Sequence, residues 1–72
     1  MPLNRFKILE RLYAFETSTI QQISDAIRSA MSNVEYLLEE MMREGLVTCD
    51  QTTYSITPAG REVYMTEART RR

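Results

Sequence analysis

The run Ile20-Gln21-Gln22-Ile23-Ser24-Asp25-Ala26-Ile27 is followed, after a short break, by Ser32-Asn33-Val34-Glu35-Tyr36-Leu37-Leu38. No other stretch constrains the fold as much. Two helical patterns joined by a few small or polar residues form a helix-turn-helix, and the Ile27-to-Val34 spacing sets the angle at which the second helix is presented. A helix held at a fixed angle is what reaches into the DNA major groove.

The 72 residues leave room for one domain, residues 1–72, with one small core. Cys49 is the only cysteine, so no disulfide forms within the chain; it reads as a small apolar strand residue suited to a reducing compartment. Oligomerisation is the expected source of extra stability. No apolar stretch approaches a membrane span, and residues 1–6 lack the apolar core of a signal peptide. The expectation is a cytoplasmic protein without membrane contact, nucleoid-associated if it binds DNA. With no His, no cluster of metal-ligand spacing and no phosphate-cradling glycine loop, neither an enzyme nor a cofactor is expected, and the small size leaves little space for a ligand pocket.

A net charge of −1 is low for a self-sufficient nucleic-acid binder, so the distribution of charge decides more than its sum. Arg5, Lys7 and Arg11 sit near the start. Arg69, Arg71 and Arg72 crowd the end, either as a solvated tail or as phosphate contacts. Between Glu35 and Glu44, the four carboxylates Glu35, Glu39, Glu40 and Glu44 are opposed only by Arg43.

Phe6, Ile8, Leu9, Leu12, Tyr13 and Phe15 give Leu3 to Phe15 an apolar stripe at helical spacing. Glu16-Thr17-Ser18-Thr19 ends that helix, and Ser18 with Gln21, or Thr19 with Gln22, forms a capping box for the next. The second helix, Ile20 to Arg28, is expected to bury Ile20, Ile23 and Ile27, with Ala26 allowing close approach. After the turn Arg28-Ser29-Ala30-Met31, either Ser32 with Glu35 or Ser29 caps a third helix that runs to about Glu44. Val34, Leu37, Leu38 and Met41 form its inner face, and Gly45 is a natural left-handed C-terminal cap. Leu46 to Cys49 and Thr53 to Ile56 read as a hairpin around Asp50-Gln51-Thr52. Thr57-Pro58 starts a last helix, to about Arg69, with Val63 and Tyr64 inward and Gly60 permitting close packing. The fold class is mostly α with a small β-hairpin (α+β), in the order helix, helix, helix, hairpin, helix. This is winged-helix architecture.

The chain resembles the winged helix-turn-helix regulators of the MarR and PadR types. Three stretches carry the resemblance: Ile23 to Val34, Leu38-Glu39-Glu40-Met41-Met42-Arg43-Glu44-Gly45-Leu46-Val47, and Tyr54-Ser55-Ile56-Thr57-Pro58-Ala59-Gly60-Arg61. The resemblance implies that the third helix is the recognition element and the hairpin a wing. It implies a base-facing side of Ser32, Asn33 and Tyr36, with Met31 and Glu35 beside them and Arg43 further along, and it places Arg28 and Ser29 at the turn near phosphates. Asn33 can pair bidentately with adenine. Glu35 either closes the capping box, which its spacing favours, or accepts from cytosine. Arg28 stands where many relatives have Gly. Ser29 stands where an apolar residue is usual, and Met31 is a candidate to replace that contact. The wing tip, Asp50-Gln51-Thr52-Thr53, contains no Lys or Arg.

The expectation is therefore a double-stranded-DNA-binding transcription regulator of prokaryotic or phage type. It acts as a homodimer through the first and last helices, where Phe6, Tyr13, Phe15, Tyr64 and Met65 exceed the needs of one small core. The rival is a protein-interaction module, an inhibitor or adaptor of a transcription factor, that uses an acidic third-helix face against a basic protein partner.

Overall fold

The computed structural model describes residues 2–71. Helix α1 spans Leu3–Ala14 and buries Phe6, Ile8, Leu9 and Leu12. It stops where Phe15 turns extended. The chain then forms a two-residue strand, β1, at Ser18–Thr19, which pairs antiparallel with Thr53 and Tyr54. The sequence reads this stretch as caps alone, because two residues carry no alternating pattern and their partners lie more than thirty positions away. Of the two capping boxes, Thr19–Gln22 is the one formed. Gln22 N–H donates to Thr19 Oγ1 at 3.2 Å, and Thr19 N–H donates to Gln22 Oε1 at 2.9 Å. Ser18 is buried in the strand and accepts from Arg11 Nε at 3.2 Å instead.

Helix α2 spans Ile20–Ile27 and buries Ile23, Ser24 and Ile27, while Ile20 is half-buried. Ser24 satisfies its hydroxyl by donating to Ile20 O at 2.8 Å. Ala26 is exposed, so it serves no close approach. The helix ends one residue earlier than its sequence pattern suggests, because Arg28 adopts a left-handed conformation (φ 56°, ψ 49°) and closes it.

Helix α3, Met31–Arg43, has Ala30 at its N-cap and no side-chain cap. Neither expected cap forms. Ser32 lies inside the first turn, where its hydroxyl cannot serve as the N-cap, and Ser29 is engaged by Asn33 Nδ2 at 2.9 Å. Glu35 thereby loses its capping-box role. Val34, Leu38 and Met41 are buried, and Leu37 packs half-buried against the core. Gly45 (φ 78°) ends the helix in a Schellman motif: its N–H donates to Met42 O at 3.0 Å, and Leu46 N–H donates to Met41 O at 2.9 Å.

Strands β2 (Val47–Asp50) and β3 (Thr53–Ile56) form the hairpin, with Val47 opposite Ile56 and Asp50 opposite Thr53. The loop is Gln51-Thr52, and Gln51 takes the positive φ that the tight reversal requires. The sheet order is β1-β3-β2, so the wing is a three-stranded sheet rather than an isolated hairpin. Helix α4, Pro58–Thr70, begins with Thr57 as N-cap and Pro58 in its first turn. One core joins α1, α2, α3 and the base of the wing through Ile8, Leu9, Ile23, Val34, Leu38 and Val47, among others. No helix of the described residues is long and apolar enough to cross a membrane.

Gly60 is buried where α4 crosses the start of the wing. A Cβ there would collide with Leu46 O and press within 2.8 Å of Ile56 Cγ1. Leu46 O cannot retreat, because it accepts from Thr57 N at 3.0 Å. Alanine is the better helix former by about 1 kcal/mol, but this overpacking outweighs it. Gly60→Ala should destabilise the fold by about 1–3 kcal/mol in urea denaturation.

Candidate nucleic-acid interface

Helix α3 is divided lengthwise. At 3.6 residues per turn, Ser32, Tyr36, Glu39 and Arg43 form one ridge opposite buried Val34, Leu38 and Met41. Each ridge residue is exposed, Tyr36 at 60%. Asn33 lies exposed on one flank of the ridge; Met31 and Glu35 lie exposed on the other. Met31 is 51% exposed, so it supplies no apolar contact in place of Ser29. Arg43 stands roughly 10 Å along the axis from Tyr36, by the rise of about 1.5 Å per residue. It belongs to the same ridge but to its far end.

The turn adds two features. Arg28 is exposed and held in the left-handed region, where a side chain costs on the order of 1 kcal/mol. Ser29 Oγ accepts from Asn33 Nδ2, which fixes the carboxamide while leaving Oδ1 and the second N–H of Nδ2 available. Because no side chain caps α3, the partial positive charge at its first turn is offered to solvent beside Arg28 and Ser29.

The four glutamates of α3 and its cap have two different fates. Arg5 reaches across from α1 to bind Glu40 Oε1 with Nη1 at 2.6 Å and Glu44 through both Nη1 (3.1 Å) and Nη2. Arg5 is thus removed from any positive rim around the ridge, and Glu40 and Glu44 are neutralised against α1. The hydrogen bond from Arg5, against a smaller opposing effect of burial and with help from the charges of Arg5 and Arg43, sets the Glu44 carboxyl below the ordinary carboxylate range. Arg5 Nε is buried without a partner, a polar cost of this geometry. Glu35 and Glu39 stay on the ridge side. Burial chiefly, then Cys49 and these two carboxylates, pushes the Tyr54 phenol up.

The wing tip offers no cation. Cys49 and Thr53 Oγ1 donate to the carbonyls of Gln51 and Asp50 at 3.3 and 3.0 Å, and these bonds shape the loop. Between α1 and α4, Tyr64 stacks on Phe6 (centroids 5.4 Å apart) and packs tilted against Tyr13 (4.6 Å). Phe6 is therefore an internal contact and unavailable to a second copy; Leu3, Tyr13, Phe15 and Met65 are the apolar groups left exposed on α1, its end and α4. Of the terminal arginines, Arg71 lies over the Phe6 ring at 4.6 Å, Arg69 is exposed, and Arg72 lies outside the described residues.

Sequence reasoning had no signal for Arg5 as the partner of Glu40 and Glu44, since the link joins the first turn of α1 to the last of α3.

No family profile and no curated protein matches the sequence. Solved structures do match the fold. MepR, a transcription regulator of the Staphylococcus aureus multidrug efflux pump MepA, superposes with a TM-score of 0.88 at 20% identity over 96% of this chain and 55% of its own. The reduced form of E. coli MarR gives 0.88 at 13% identity, over 96% and 52%. A MarR family protein from Bacillus stearothermophilus gives 0.87 at 21%, over 99% and 54%. At these identities the likeness establishes the fold, which is the winged helix-turn-helix of MarR-type regulators. The chain spans about half the length of these structures.

A carboxyl whose folded pKa is depressed stabilises the fold above its unfolded pKa, and that contribution is lost as pH falls through the folded value. The Arg5–Glu44 pair should therefore hold at neutral pH and fail in acid. Arg5→Met should lower the melting temperature at about pH 7 and flatten the part of its fall toward about pH 3 that this pair supplies. Thermal melts across that range check it, and the effect should be modest because Glu44 is solvent-screened.

Proposed function

We propose that this chain is a double-stranded-DNA-binding transcription regulator that places α3 in the major groove and acts as a homodimer, in the cytoplasm and on the nucleoid. The observation that carries this reading is the division of α3. One side is locked into the core, and the other presents Ser32, Tyr36 and Arg43 with Asn33 at the flank. Ser29 supports the reading by holding the Asn33 carboxamide in place, which suits bidentate pairing with adenine N6 and N7. The strained backbone of Arg28 supports it too, since such conformations gather where a side chain must be aimed. The solved proteins of this fold named above include a transcription regulator and members of the MarR family. The interaction-module reading is weakened by Arg5, which takes two of the four carboxylates it relied on.

In this reading the second copy docks on α1 and α4, covering Tyr13 and Met65. Two copies double the base and phosphate contacts, and linking them raises affinity without any new contact in either protomer.

Fluorescence anisotropy on duplexes selected from a random pool tests the recognition surface. Asn33→Ala should weaken binding to the preferred sequence from about fivefold to about 150-fold, the range set by 1–3 kcal/mol. Arg28→Gly should also weaken binding, yet keep stability within about 1 kcal/mol of wild type or raise it, because glycine relieves the left-handed strain. Absence of duplex binding at low salt, by a protein shown to be folded, would overturn the proposal. Sedimentation tests the second copy: Met65→Glu should shift the protein toward monomer and weaken duplex binding with it.

A further inference from the structure

A winged helix that binds DNA needs cations against the phosphates, and this wing has none. Asp50 is its only charged residue, and it is acidic. Elsewhere Arg5 is committed to Glu40 and Glu44, Arg71 lies over Phe6, and Arg43 shares the ridge with Glu39. Three cations converge in another place. Lys7, Arg11 and Arg28 line one solvent-open cleft of about 550 Å³ between α1 and the end of α2, with Glu10 as its only carboxylate.

We infer that this α1–α2 cleft is the phosphate-gripping surface of the protein and takes over the work that the cation-free wing cannot do. The inference rests on the DNA-binding reading and assigns contacts to Lys7 and Arg11, which lie outside the helix-turn-helix. Lys7 and Arg28 have no partner among the described residues. Arg11 is pinned by its Nε on Ser18 Oγ at 3.2 Å and by its guanidinium 3.9 Å from the Phe15 centroid. Both terminal nitrogens of Arg11 are left to meet an anion, and the side chain is already ordered, so binding costs little further entropy. Phe15, Ala26 and Ile27 make the walls apolar, and low-dielectric walls around charges of one sign focus the field into the cleft. Arg28 joins the cleft to the uncapped start of α3. A phosphate strand contacting that helix end therefore has a continuous positive path away from the wing.

The test is the salt dependence of duplex affinity for wild type, Lys7→Gln, Lys7→Arg and Arg61→Gln, the last an exposed cation on α4 outside the cleft. Lys7→Gln should weaken binding to preferred and unrelated sequences alike. It should also reduce the slope of log K against log salt by about one per bound protomer. Lys7→Arg should keep the wild-type slope, and Arg61→Gln should change neither slope nor affinity. A wild-type slope and affinity in Lys7→Gln would overturn the cleft assignment while leaving DNA binding intact. A slope lost in Arg61→Gln but not in Lys7→Gln would move the grip to α4. If wild type binds no duplex, the regulator reading falls and this inference with it.

Discussion

Burial of Val34, Leu38 and Met41 is the constraint on which the remainder of the molecule depends. These three side chains lie with Ile8, Leu9 and Leu12 of α1 and Ile23 and Ile27 of α2 in one core, and their burial fixes the rotation of α3 about its axis. A helix rotated by one residue would turn its apolar stripe by about 100° and bring Glu35 and Glu39, or Asn33 and Glu40, toward the core. With rotation fixed, the identity of the outer ridge is no longer free. Ser32, Tyr36 and Arg43 face outward because the other side of the same helix is committed.

The far end of α3 is secured by backbone chemistry. The Schellman motif at Gly45 reverses the chain into Leu46, whose carbonyl accepts from Thr57. Thr57 Oγ1 in turn donates to Gly45 O at 2.6 Å and accepts from Gly60 N at 3.0 Å. One threonine thus ties the end of α3, the root of the wing and the start of α4. Absence of a Cβ at Gly60 lets the three meet. β1 anchors the other edge of the sheet, and through Arg11 and Ser18 that edge is joined to α1.

Electrostatics then divides the surface in a way that net charge conceals. A chain at −1 looks ill-suited to a polyanion, but Arg5 draws Glu40 and Glu44 to the α1 side. Lys7, Arg11 and Arg28 gather around a cleft with one carboxylate. The same nine basic and ten acidic residues arranged otherwise would make an acidic third helix and no positive surface.

The sequence alone determined the features that arise within a few residues of one another. These include the helical stripes, a capping box at Ser18 or Thr19, Gly45 as the end of α3, and Thr57-Pro58 as the start of α4. Each reflects a hydrogen bond or a periodicity within about one or two helical turns. Its local patterns misled where two local choices competed, at Ser29 and Ser32, because the start of α3 is set by the preceding left-handed Arg28, and at Ala26, Met31 and Phe6, whose exposure or burial depends on how the helices pack. The tertiary structure alone decided the pairing of β1 with β3, the capture of Glu40 and Glu44 by Arg5, the packing of Phe6 and Tyr13 on Tyr64, and the cleft shared by Lys7 and Arg28. These contacts join residues far apart in the chain, and they exist only once core packing has set how the helices cross.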